Sequence, residues 1–151
     1  MTQPATAALR LAGFVLGALW TSPNTLLGLI AGFAAIPFGA RARLSRRELA
    51  LVFDRFPWGP RGALTLGNVI LVSADDLDVA CATYEHAAGR CRHPDVRLGD
   101  HERAHVLQYL VLGPLFLPVY FACGGVSVGN AFERAADRYA MLGHGWWPGR
   151  S

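Results

Sequence analysis

HERAHVLQYL, residues 101–110, is the stretch on which the reading of this chain turns. His101 and His105 are four residues apart, so on a helix their imidazoles lie one turn apart on the same side. Asp100 stands where the N-cap of that helix is expected. Two neutral imidazoles so placed suit Zn²⁺, which takes nitrogen ligands at about 2.0–2.1 Å. Glu102, offset around the helix, can then reach a water on the metal as a general base.

A catalytic zinc normally takes three protein ligands and a water, so two histidines leave one ligand to be found. FERAADRYA at 132–140 supplies a candidate in Glu133, on a second predicted helix opened by Asn130. Asp137 lies one turn further on the same face, where it can hydrogen-bond a ligating histidine. The glycine-rich CGGVSVG at 123–129 lets the chain reverse between the two helices. Asn130 with Glu133 three residues on also fits a capping box, which accounts for Glu133 without any metal.

HExxH followed by ExxxD resembles the gluzincin branch of the zincin metallopeptidases. ALTLGNVILV at 63–72 ahead of HExxHVxQ, with FExxAD behind it, is similar to small zincin-like domains of bacterial proteins, over roughly residues 62–140. The resemblance implies Zn²⁺ held by His101, His105 and Glu133, with Glu102 as base and Asp137 supporting a ligand. It also implies that residues 63–72, with Leu64, Thr65, Leu66, Gly67 and Asn68 at their centre, form an edge strand along which an extended peptide substrate lies. Tyr139 and His144 are the candidates for stabilising the transition state, although spacing singles out neither. The chain departs from the family pattern where the HExxH helix runs straight into the apolar LVLGPLFLPVYFACGG at 110–125.

Charge is distributed unevenly along the 151 residues. Nineteen of the 25 charged side chains lie between Arg41 and Arg103, leaving uncharged runs at 11–40 and 104–132. Both runs exceed the roughly 20 apolar residues that cross a bilayer, but prolines interrupt both. The first contains TSPN at 21–24 and two small-xxx-small pairs, Gly13 with Gly17 and Gly28 with Gly32. Residues 1–40 therefore read as a hydrophobic membrane hairpin or one kinked span. Residues 41–151 read as the zincin-like domain, with a second apolar segment at 106–125. Arg10 and the group Arg41, Arg43, Arg46 and Arg47 place both flanks on the cytoplasmic side of a bacterial inner membrane by the positive-inside rule. A secretory signal peptide and a buried hairpin of a soluble domain are the alternatives for the first 40 residues.

All 14 basic residues are arginines, set against 11 acids for a net +3, and they form no basic tract. Nucleic-acid binding is disfavoured. Cys81, Cys91 and Cys123 contain no CxxC and are expected to be free, with a Cys81–Cys91 bond open only in an oxidising compartment. ELALVFDRF at 48–56 and GALTLGNVILVS at 62–73 read as a strand pair about a Gly-Pro turn, followed by a helix near 77–88 and a loop. Gly125 to Gly129 matches GxSxG, with Asp137 and His144 following, but no strand precedes it to form a nucleophile elbow. His86 and His93 read as surface residues, and Gln108 and Tyr109 as local packing or hydrogen-bonding groups. His144, beside Trp146 and Trp147, can equally be an interfacial anchor.

The fold expected is α+β and mostly helical, with a short β-hairpin or edge strand, the HExxH helix, the ExxxD helix and the N-terminal hydrophobic hairpin. The function expected is zinc-assisted hydrolysis of a peptide or membrane-proximal protein substrate at a lipid surface. A non-catalytic membrane interaction or scaffold protein retaining the fold, and a soluble helical module meeting a protein partner, share the same residues. Homo-oligomerisation is left open.

Overall fold

Val69–Val72 (β4) is buried on both faces, as a continuous apolar run of four residues must be if it is a central strand. In the computed structural model, which describes residues 3–59, 61–89 and 95–149, β4 lies between Ala50–Asp54 (β2) and Ala63–Leu66 (β3). It runs parallel to β2, with Val52 opposite Ile70, and antiparallel to β3, with Thr65 opposite Ile70. Arg41–Ser45 (β1) completes the sheet antiparallel to β2, in the order β1-β2-β4-β3, so β3 is an edge. Helices hold about 53% of the chain, and with this small mixed sheet the class is α+β.

The expected pair of strands at 48–56 and 62–73 is thus three strands. Leu66 pairs with Val69 across a two-residue turn, Gly67–Asn68, where Gly67 has φ +61°. Of the expected edge-strand residues, Leu64, Thr65 and Leu66 lie in β3, whereas Gly67 and Asn68 form its turn.

Alternation along the strands splits the core in two. Val52, Ile70 and Val72 face Leu98 and Val106, while Phe53, Val69 and Leu71 face Leu29 and Ala31. The first layer is covered by Leu98–Leu112 (α4) and the second by Ser22–Ala35 (α2). Gly28 and Gly32 let α2 lie close on the sheet, since a Cβ would fall 2.7 Å from the Val69 Cβ and 2.3 Å from the Phe53 ring. Gln3–Trp20 (α1) meets α4 instead, with Gly17 against Leu110.

Because the two N-terminal helices are anchored on different surfaces, they meet at 69° around Thr21. Of the two forms expected for residues 1–40, a hairpin or one kinked stretch, the helices adopt a bent pair. The buried Asn24 fixes the bend by donating its Nδ2 to the Gly113 carbonyl at 3.0 Å.

Beyond the sheet, Ala80–Cys81 (β5) pairs with Val96–Arg97 (β6). The helix expected at 77–88 contracts to Tyr84–Ala87 (α3), capped by Thr83, whose Oγ1 accepts from His86 N. An Asx turn takes its first residues, with Asp78 N donating to Asp76 Oδ1 at 2.7 Å. The second apolar run forms the end of α4, a 3₁₀ turn over Gly113–Leu115 and Phe116–Ala122 (α5). Among the described residues one helical stretch, Leu98–Ala122, is long and apolar enough to cross a membrane, and 44% of its apolar window is buried within the fold. Tyr109, Phe116 and Tyr120 of this stretch pack together with Phe132. Cys81 and Cys123 are free, while Cys91 and His93 lie outside the described residues.

Candidate metal centre

Helix α4 opens directly after β6, so its N-cap is Arg97, the last residue of that strand, and not Asp100. Asp100 sits instead in the first turn, where a negative charge favours the helix dipole, and accepts from Arg47 at 3.0 Å and from Arg97 at 3.3 Å. The register carries His101, Glu102 and His105 inward, and all three are buried. Ala131–Leu142 (α6) packs alongside and brings Glu133 and Asp137, also buried, against them.

Asn130 caps α6 by accepting from Phe132 N at 2.9 Å, while its Nδ2 ties down the Tyr120 and Gly125 carbonyls at 3.0 and 2.7 Å. Glu133 does not close the capping box. Its Oε2 lies 3.1 Å from His101 Nε2 and 3.4 Å from His105 Nε2, and its Oε1 accepts from the Tyr120 hydroxyl. The two Nε2 atoms are 3.2 Å apart. These three separations are close to the roughly 3.3–3.4 Å between neighbouring vertices of a tetrahedron with bonds of about 2.0–2.1 Å. His101, His105 and Glu133 can therefore hold a metal ion, with a fourth vertex left over.

The groups around these three set their lone pairs. His101 Nδ1 lies 2.9 Å from Asp137 Oδ1, and Asp137 Oδ2 accepts the Tyr84 backbone N–H at 2.7 Å. His105 Nδ1 lies 2.8 Å from Gln108 Oε1, and Gln108 Nε2 donates to the Trp146 carbonyl at 2.8 Å. The amide oxygen can only accept, so His105 donates from Nδ1 and turns Nε2 toward the site. Glu102, on the same turn, accepts at Oε2 from Thr65 Oγ1 of β3 at 2.6 Å.

Burial alone would lower the pKa of His101. The hydrogen bonds to Asp137 and Glu133 outweigh it and hold the imidazole up to about 10. Burial would likewise raise Glu133, but the two imidazoles bring it well below the ordinary carboxylate range. Without metal, His101 therefore carries a proton near neutrality that an incoming ion must displace. Between pH 8 and pH 6 the apparent affinity for a divalent ion is expected to fall about 100-fold, tenfold per unit for one displaced proton. Competition against a chromophoric chelator reads it directly, and an affinity flat with pH would remove His101 from the ligand set.

A cleft of about 230 Å³ opens beside these groups, lined by Ala63, Leu64 and Thr65 of β3 and by Phe116, Leu117 and Tyr120. Tyr139 and His144 are not among its lining residues. Tyr139 lies under the Arg103 guanidinium and His144 is exposed. The tyrosines at the cleft are Tyr84, Tyr109 and Tyr120, which sequence spacing did not single out because two of them arrive from other elements. Ser127 of the GxSxG match donates to the Gly124 carbonyl, and Asp137 is committed to His101, so no serine triad forms among the described residues. His86 is exposed, as expected. Compared with known proteins, the chain matches no family model, no curated protein and no solved structure.

Proposed function

We propose that this chain is a small membrane-associated zinc metallopeptidase with a zincin-like core. The observation that carries the reading is the triangle of His101 Nε2, His105 Nε2 and Glu133 Oε2, with sides of 3.1, 3.2 and 3.4 Å. Two imidazoles and one carboxylate in a tetrahedral arrangement suit zinc above harder ions, which prefer all-oxygen sites. A bound Zn²⁺ would supply a Lewis acid that brings the pKa of a coordinated water down to about 7.

The chain's own groups would do the rest. Thr65 occupies one oxygen of Glu102 and leaves the other to accept a proton from the attacking water and pass it to the leaving amine. Asp137 and Gln108 hold the two rings in orientation, and Tyr120 holds Glu133. Being an edge strand beside Glu102, β3 can receive an extended peptide along its free side.

The apolar surface supports placement at a bilayer. Leu9, Leu11, Leu16 and Leu19 of α1 are exposed, as are Leu26, Leu27 and Ile30 of α2. So are Leu64, Phe121 and Val126, which line the cleft. Since the inner face of α2 is occupied by the sheet, lipid can cover only its outer face, and the bent pair would lie in the interface. The arginines of β1 would face anionic headgroups of the cytoplasmic leaflet.

The test uses zinc-loaded protein on phosphatidylglycerol-rich vesicles with a fluorogenic peptide carried on a lipid anchor, beside the same peptide free in solution. Zinc-dependent cleavage is expected, faster on the anchored peptide. A spin label on the exposed Cys123, with Cys81 and Cys91 replaced by serine, should report a depth near the headgroups. A zinc-loaded chain that cuts neither peptide would establish the scaffold reading instead, and a label far from the bilayer would sink the membrane placement.

A further inference from the structure

Tyr109 lies one turn beyond His105 on α4, its ring wholly buried and packed on Phe116 at a centroid distance of 4.1 Å. Its hydroxyl is buried and has no hydrogen-bond partner among the described residues, although its side chain lines the cleft beside the metal-site residues. The side chains that hydrogen-bond the three candidate ligands are committed to them: Tyr120 to Glu133, Gln108 to His105, Asp137 to His101. A buried phenol ordinarily finds a partner, and leaving one without is costly. An orphan on a cleft wall is therefore a donor held for something that enters the cleft.

The surroundings define what that is. Phe116, Leu117 and Leu64 make the wall apolar, and the cleft's two acids, Glu102 and Glu133, are matched by Arg61 and the protonated His101, so its charges balance and favour a neutral ligand. We propose that Tyr109 donates its hydroxyl proton to the carbonyl oxygen of a neutral amide whose apolar side chain fills the cleft. This makes Tyr109 a substrate-binding residue, and only its place in a hydrolytic reaction rests on the metallopeptidase reading. The ring of Tyr109 packs locally, as expected, while its hydroxyl makes no local bond.

The test is Tyr109→Phe, which removes the hydroxyl and keeps the ring. N-acetyl-L-leucinamide is titrated by NMR into wild type and variant, each metal-free and each zinc-loaded, and Tm is recorded for all four. About tenfold weaker binding of the amide in the variant is expected, with Tm equal to or above wild type because no buried bond is lost. Equal affinities, no saturable binding to the wild type, or a clear fall in Tm would each overturn the proposal. The metal-free arm separates this result from failure of the zinc reading, which would show as absence of zinc uptake with amide binding intact.

Discussion

The wild type is expected to hold about one zinc ion per chain, and Glu133→Ala and His105→Ala are each expected to leave the purified chain nearly free of it. In either variant two donors remain of the three that lie 3.1–3.4 Å apart. Two donors do not close a tetrahedral site, so the loss should exceed the roughly 10–100-fold that removal of an outer hydrogen-bond partner costs. Glu133→Ala should also destabilise the metal-free chain. The Tyr120 hydroxyl loses its acceptor and the protonated His101 loses one of its two carboxylates. A buried group left without its partner costs about 1–3 kcal/mol, so Tm in chelator should fall. Glu133→Gln keeps the volume and an acceptor for Tyr120 while removing the charge, and so separates ligation from packing. Elemental analysis beside thermal melts decides the matter. Stoichiometric zinc in Glu133→Ala would strike Glu133 from the ligand set, and no zinc in the wild type even after reconstitution would transfer the weight to the scaffold reading.

What could be read in the sequence is what depends on spacing along one element. The four-residue interval of His101 and His105, and that of Glu133 and Asp137, survive folding because α4 and α6 form where the periodicity puts them. The choice between ligand and capping residue for Glu133 depended on where α6 lies against α4, and no local rule contains that distance. Thr65 and Tyr120 meet Glu102 and Glu133 from 37 and 13 residues away in the chain, for the same reason beyond the reach of a motif. Gln108 sits within the quoted stretch, yet its role shows only once the Trp146 carbonyl has fixed which end of its amide faces His105. The N-terminal helices teach a complementary point. Gly28 and Gly32 match a lipid-phase packing pattern, but here the small residues admit the sheet, with the Phe53 ring against Gly32. The same absence of a side chain serves any close neighbour, so the pattern identifies close packing without naming the partner.

Glu102→Gln separates holding a metal from using it. The substituted amide is the same size, and its oxygen can still accept from Thr65 Oγ1, 2.6 Å from the present carboxylate, so the fold should hold. Glu102 is not one of the three candidate ligands, so zinc content should stay at about one ion per chain. Only the capacity to take up a proton is gone, because an amide has no basic oxygen at neutral pH. Positioned acid–base groups contribute about 10²–10⁴-fold, and hydrolysis of the vesicle-anchored peptide should fall by that factor. Zinc affinity and binding of N-acetyl-L-leucinamide should stay near wild type. This combination could not arise from misfolding, which would lose zinc as well, or from a contaminating peptidase, which would be indifferent to the substitution. Turnover persisting in a zinc-replete Glu102→Gln chain would place the base elsewhere, and zinc lost together with turnover would mean that Glu102 shapes the metal site itself.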